Sequence, residues 1–490
     1  MSAITKLSIF LLLIFLISCN LDSKKSVTIK ENKLSEQEML DDYRLFKNIF
    51  EQANAGLYKY HTKQAIDSVF EANERLINNK LSYREYYTVL WNVIDYTGSC
   101  HNELYFPDSL KQRLNKEPIY FPLPLKYLGD KIYTKHKFEA IPKGSEILAV
   151  NNVASKELAS LLAHYTSTDG HNKTGKYAFI ETGRLAWYMY LIFGEQQHFE
   201  IVYKGENSSI IKEQITAVDY TTFLNNFKKK QTKTEENREY SFKYIDTIKS
   251  GYLKVKTFGM GGPGSEGHKQ YAKFLDSVFI QLKTNKTTNL IVDVRNNGGG
   301  NDPNDILLYS YLTKRKFKEN TSAYTIFQDI PFKEYYIDDD INELPKSLKE
   351  EHSIFKDGKY YQNNSFNKVW NPNKNAFNGN IYLLVDAFVA SAGSLFASLV
   401  KSDEQTIVIG EETAGGYYGH TGHIPVHYQL PNSKLILQFS IVDLEQDVRE
   451  LPDENYGDGI KPDFNVIQSH SDFTNNKDTQ LNFTINLIKK

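Results

Sequence analysis

Cysteine is nearly absent from this 490-residue chain: it has two, Cys19 and Cys100, too few for a disulfide framework. Charge of one sign is missing as well. The 58 Lys and Arg almost cancel the 60 Asp and Glu, for a formal net charge of -2. With no basic patch, nothing points to nucleic acid or another polyanion as a partner. Beyond the N-terminus no apolar run approaches the roughly 20 residues that span a bilayer. No unit recurs at solenoid length. What the chain has in quantity is aromatic residues, 33 Tyr and 29 Phe. Without a basic surface to sit on, they read as core material. A chain of this length is expected to divide into two or three domains.

The first 18 residues do not belong to the fold. Lys6 gives a weak positive start, and Leu7 to Ile17 is an almost continuous apolar run of signal-peptide length. It ends in Leu16-Ile17-Ser18-Cys19, which looks like the lipobox of bacterial lipoproteins. That resemblance implies a lipid on Cys19, a tether over residues 19–34, and a place in the bacterial cell envelope facing periplasm or exterior. If Cys19 carries lipid, Cys100 has no partner for an intrachain disulfide.

Residues 35–115 read as a helical region. Ser35 with Glu38, and Ser82 with Glu85, make capping boxes ahead of apolar stripes at helical spacing. The last stripe stops at Gly98, leaving Ser99-Cys100-His101 in a loop. Over 118–215 the period shortens to that of strands. Within it, Gly144-Ser-Glu-Ile-Leu-Ala-Val-Asn151 resembles the core of PDZ domains. Residues 160–195 depart from that pattern and read as an insertion. Residues 216–249 are expected to be a linker. Residues 250–470 alternate strand and helix with short turns, the mark of an α/β layered domain, and 471–490 remain as a tail.

Two stretches carry chemistry. Ile381 to Val385 reads as a buried strand and Ser391 onward as a buried helix, so Ser391 is either an N-cap or a nucleophile favoured by the helix N-terminus. Asp293-Val-Arg-Asn-Asn-Gly-Gly-Gly300 is a glycine turn after a strand. It lacks the Lys-Ser/Thr of a P-loop and the G-x-G-x-x-G of a dinucleotide fold. A tight turn and an oxyanion hole both remain open, since each needs close backbone approach.

Together, "Asn-Leu-Ile-Val-Asp-Val-Arg-Asn-Asn-Gly-Gly-Gly" and "Val-Ala-Ser-Ala-Gly-Ser-Leu-Phe-Ala", followed by "Val-Ile-Gly-Glu-Glu-Thr-Ala-Gly-Gly", resemble the tail-specific (C-terminal-processing) serine peptidase family. The likeness covers roughly 250 to 465 and implies a crotonase/Clp-protease-like α/β catalytic domain, here with an N-terminal helical region and a PDZ-like β-rich segment. By position Ser391 matches the nucleophile. Ala392 and the glycine turn, Gly299 and Gly300, match the oxyanion hole. The family's usual lysine base is replaced by Gly416, and no lysine occurs between Lys401 and Lys434. The tricorn-like branch uses a histidine instead, which falls on His101, with Cys100 where that branch has serine. Its orienting glutamate falls on Glu454, with Glu450 as the alternative.

His420, His423 and His427 lack the helical His-x-x-x-His arrangement of a zinc site. They are expected at the surface or cleft edge, with His420 as a fallback base. No metal or organic cofactor is implied. The expectation is an envelope-anchored serine endopeptidase acting on proteins or peptides. An inactive, peptide-binding relative is the alternative, and a glycan-binding lipoprotein is a third reading that rests on aromatic content.

Overall fold

The computed structural model describes residues 33–205, 208–228 and 238–490. Cys19, the signal segment and the expected tether up to residue 32 lie outside these. Among the described residues no helix is long and apolar enough to cross a membrane.

The main sheet has six strands, in the order Phe464–Asn465, Thr406–Gly410, Asn380–Val385, Asn289–Asp293, Ser250–Val255 and Tyr240–Ile245. All neighbours are parallel except the last pair. Period-two alternation divides its side chains between two cores. Leu290, Val292, Leu383 and Val385 face one side, under helices Glu266–Thr284, Asn304–Ser310 and Ala392–Lys401. Ile291, Tyr382 and Leu384 face the other, where Leu481 and Ile485 of helix Thr479–Ile488 cover them. Leu290, Ile291, Val292, Leu383, Leu384 and Val385 are fully buried, each worth about 1.5–3 kcal/mol. The central strands are therefore a rigid platform. The sheet is an α/β fold with the two chemical stretches at the C-terminal ends of adjacent strands, the usual place for a site in such sheets.

Two boundaries differ from the sequence reading. Part of the expected linker is structured: Tyr220–Lys228 is a helix with Phe223 buried, and Tyr240–Ile245 is the edge strand of the main sheet. The polar run beside them hid a short, half-exposed alternation. The expected tail is the helix that closes the second core, tied down by Asp478 to Arg295 at 2.7 Å.

Residues 118–216 build a separate antiparallel sheet, Leu125–Leu128, Lys131–Thr134, Glu146–Val150, His198–Lys204 and Ile210–Thr216, with helix Ser155–His164 beside it. Asn151 and Asn152 both adopt positive φ, 46° and 65°, as a tight two-residue hairpin turn requires. Between helix and closing strand, Thr174–Ala178 and Leu185–Phe193 form the extra helical piece.

The N-terminal helices Glu36–Ala53, Lys63–Glu74 and Tyr83–Thr97 are joined to the rest by a third sheet. Strand Glu103–Tyr105 pairs antiparallel with Ile436–Gln446, which also pairs with Thr421–Gln429 and Asn320–Thr325. Asp42 reinforces the join by accepting the Ser433 N–H at 2.7 Å and its hydroxyl at 2.6 Å.

Candidate active site

Ser391 sits at φ 54°, ψ -134°, between the strand Asn380–Val385 and the buried helix Ala392–Lys401. A non-glycine residue in such a conformation costs of order 1–3 kcal/mol and persists only where its surroundings hold it. They do here. The Ala390 N–H donates to the Asn297 carbonyl at 3.3 Å, and the Ser391 carbonyl accepts from the Ser394 N–H at 2.9 Å and the Leu395 N–H at 3.0 Å. The Ser391 side chain makes no capping bond. Its Oγ lies instead 3.1 Å from His101 Nε2, across 290 residues of sequence.

The glycine turn lies against this elbow. A Cβ on Gly299 would sit 2.8 Å from Ser391 Cβ and 2.9 Å from the Ala392 nitrogen, and its φ is +105°, so only glycine fits. The Ala392 N–H, first of its helix, has no intrahelical acceptor, and its nitrogen borders this gap. The Gly299 N–H donates to Asn297 Oδ1 at 2.9 Å. Gly299 is thus corrected from donor to spacer, and the exposed Gly298 and Gly300 carry the turn's remaining amides.

His101 is delivered by a loop held at both ends. Helix Tyr83–Thr97 stops at Gly98 in the left-handed conformation, φ 66°. The Gly98 carbonyl accepts the Gly170 N–H at 2.8 Å; a side chain on Gly98 would run into the Gly170 backbone, and one on Gly170 into the Gly457 backbone. Just past His101, the chain enters the strand paired with Ile436–Gln446. The His101 ring stacks on His420 with centroids 5.0 Å apart. Its Nδ1 is 3.4 Å from Cys100 Sγ.

Behind these lies Asp169, fully buried. It accepts the Cys100 N–H at 2.9 Å and the Gly416 N–H at 3.2 Å. Ligating atoms of Cys100, His101 and Asp169 all fall within 4.8 Å of one another. Burial depresses the His101 pKa, opposed by the Asp169 charge and the Thr421 carbonyl and reinforced by His423. His101 is therefore neutral at pH 7 and able to accept a proton. Burial pushes the Cys100 thiol well up, and Asp169 adds to that. It stays a thiol and hydrogen-bonds instead of competing as a thiolate nucleophile. Burial also raises Asp169, against the pull of His101 and its N–H donors.

Residues 249–466 match the sequence model of Peptidase family S41. This part of the chain is a family S41 peptidase domain. Among solved structures, mature CPAF complexed with lactacystin superposes over 93% of this chain and 98% of its own, at 13% identity and a TM-score of 0.59. Mature CPAF alone gives 93% and 97%, 12% identity and 0.59. A CPAF mutant gives 90% and 94%, 13% identity and 0.61. These are likenesses of fold. No curated protein matches this chain in sequence.

The S41 domain brings Ser391, Ala392 and the glycine turn together with His101 from outside it. It does not bring Glu454. That carboxylate is 5% exposed and pairs through Oε1 with Lys401 Nζ at 2.5 Å and the Lys461 N–H at 3.0 Å. Its task is to anchor the far end of the helix that begins at Ser391, and the carboxylate whose charge acts on His101 is Asp169. Glu450 is exposed.

The three histidines of the 420–427 stretch diverge. His420 is 1% exposed, so it is a buried ring and not an edge residue. His423 lies between Asp302 and Glu319, and His427 between Asp338 and Gln438. Sequence reasoning missed Asp169 and Asn297. Asn297 stands inside the quoted motif and was legible as a turn residue, whereas Asp169 lies in the insertion and had no local signal. A cavity of about 760 Å³ opens beside the turn, between Lys126, Tyr127 and Tyr177 of the small sheet's side and Arg295, Asn296 and Phe388 of the S41 domain.

Proposed function

We propose that this protein is a serine endopeptidase that cleaves proteins or peptides, anchored to the cell envelope through a lipid on Cys19. The observation that carries the catalytic part is the 3.1 Å approach of His101 Nε2 to Ser391 Oγ. Ser391 attacks the scissile carbonyl and its proton passes to His101, which later returns it to the leaving amine. The Ala392 N–H and an amide of the glycine turn stabilise the tetrahedral oxyanion, each donor worth about 3–4 kcal/mol. Cys100 and Asp169 hold the imidazole in the orientation that leaves Nε2 free. An inactive, peptide-binding relative would have Ser391 and His101 out of reach of each other, which the distance speaks against.

The test is labelling of the protein by a fluorophosphonate, mapped by mass spectrometry, beside the Ser391→Ala and His101→Ala variants. The expected result is an adduct on Ser391 that is lost in both. An adduct that persists in His101→Ala moves the base elsewhere, His420 first. Peptidase activity surviving Ser391→Ala ends the proposal. The anchor is tested separately, by partition of the protein with membranes and its release by Cys19→Ala.

A further inference from the structure

The stretch on which the base rests holds a strained turn that the peptidase reading leaves without a task. The His101 ring stacks on His420, and the Thr421 carbonyl acts on it. Just beyond, the ladder between Thr421–Gln429 and Ile436–Gln446 slips. Gly422 pairs with Val442 but Pro425 with Ser440, three steps against two. The extra residue makes a β-bulge, a device that re-aims a side chain and is common beside active sites. Within it His423 and Ile424 take φ of 52° and 30°. A positive φ is an outlier for a β-branched residue and persists only where the surroundings hold it.

What holds it is an ionic bridge. His423 Nδ1 is 3.3 Å from Asp302 Oδ2, and Nε2 is 3.2 Å from Glu319 Oε1. Each ring nitrogen faces its own carboxylate, which suits an imidazolium, whose two N–H groups both donate. Asp302 stands two residues past Gly300 of the glycine turn, and Glu319 directly before the strand Asn320–Thr325. Burial works against the charged ring, but Asp302, Glu319 and Glu351 outweigh it and lift the His423 pKa to about 10. Asp305 is fully buried, and burial with the Asp302 and Glu319 charges pushes its carboxyl well up. It stays neutral and leaves the bridge to the other two. His352, with Nε2 3.8 Å from Glu351, is lowered by burial and adds no charge.

We propose that His423 is a positioning residue: as an imidazolium between Asp302 and Glu319, it staples the loop after the glycine turn to the stretch on which His101 rests. The inference rests on the reading of Ser391 and His101 as nucleophile and base. One ring then holds the oxyanion side and the base side of the cleft in register. It also sets a fixed positive charge near His101, opposing protonation of the base, against the Asp169 carboxylate that favours it. His420 adds no charge there, since burial and the His101, His423 and Lys59 charges hold it well below its ordinary value. Cys100 stays a thiol. A cation beside a base lowers its pKa, so His101 keeps its proton-accepting form into mildly acid solution.

The test uses the full-length protein with isotope-labelled histidine, the His423 resonance being assigned by its absence from His423→Lys. The ring should remain imidazolium at about pH 8, where an ordinary imidazole is neutral, and should titrate lower in Glu319→Gln. A ring that is neutral at that pH overturns the proposal. On a fluorogenic peptide, His423→Gln should lower kcat by about 10–100-fold, as a displaced site does, and move the acid limb of kcat/KM up. His423→Lys restores a cation and should bring the limb back toward wild type. A loss of kcat with the limb unmoved, or an equal upward move in both variants, would make His423 structural only and overturns the proposal. If His423→Gln does not fold by circular dichroism, His423→Lys is compared with wild type, and an upward move of its limb overturns the proposal. The resonance measurement needs no activity. Failure of the peptidase reading, seen as no fluorophosphonate adduct on Ser391, is therefore distinct from failure of this inference.

Discussion

The two sides of the cleft are built in different ways. Ser391 is placed by its own neighbourhood: a buried strand, a turn braced by Asn297, and a helix whose first residues accept no side chain between them and the glycine turn. His101 comes from another region and is placed by long-range contacts alone. Strand Glu103–Tyr105 must pair with Ile436–Gln446, Gly170 must meet Gly98, and Asp169 must reach Cys100. A nucleophile made by one motif survives small changes elsewhere. A base assembled from three regions depends on all three closing, so graded changes should act on its side of the cleft.

The most severe break of that comparison is removal of either partner. Ser391→Ala and His101→Ala should each lower kcat/KM on a fluorogenic peptide by about 10⁴-fold or more, and the double variant should lose little beyond that, because residues acting as a unit are not additive. If His101→Ala kept a large share of wild-type activity, the two sides would not be one machine. Gly299→Ala comes next. Its Cβ would meet Ser391 Cβ at 2.8 Å at a φ of +105°, and displacing the elbow from the oxyanion donor should cost about 10²–10³-fold in kcat. Gly298→Ala is the sharp control, since a Cβ there meets nothing within 4 Å. Equal losses in the two would mean that the turn matters only for its flexibility.

Asp169→Asn tests the graded side. Asp169 reaches His101 only as a charge and through Cys100, so we expect a loss of about 10–100-fold, less than removal of a directly bonded carboxylate gives. Its pH signature is specific. Burial holds the His101 pKa below its ordinary value and Asp169 opposes that shift. The base works unprotonated, so the acid limb of kcat/KM follows this pKa. The wild-type limb should lie below pH 6.5, the unperturbed imidazole value. In Asp169→Asn the limb should move further down while the plateau falls. A limb that moved up would show that Asp169 does not act on His101 as a negative charge.

What was legible in the sequence follows the same division. Strand, elbow, glycine turn and helix are contiguous, so apolar runs and turn residues announce them together. His101 could be found because a helix stop at Gly98 marks a loop and the resemblance supplies a role. Asp169 could not. It stands in residues 160–195, where no periodicity guides the reading, and its importance arises only when the Cys100 and Gly416 amides converge on it. The edge strand Tyr240–Ile245 and the closing helix Thr479–Ile488 were passed over for a related reason: each is short and stands outside the motifs, the strand beside a charged run and the helix after the last motif.

The smallest expected effect on activity comes from the residue that the motif pointed to. Glu454 sits at the far end of the nucleophile's helix, bonded to Lys401, which also donates to the Lys461 carbonyl. Lys401 is the basic residue of that helix's last turn, where a cation is favoured by the helix dipole. Breaking a buried pair by removing one charge costs about 3–5 kcal/mol. In Glu454→Gln the amide oxygen can still accept from Lys401 and from the Lys461 N–H, so a loss nearer about 2 kcal/mol is expected. That should lower the melting temperature by roughly 4–8 °C while kcat/KM below the transition stays within about threefold. Elbow geometry is fixed at the other end of the helix by Asn297 and the glycine turn, which is why the two readouts should part. An unchanged melting temperature with a collapsed kcat/KM would put Glu454 back behind His101 and remove Asp169 from that place.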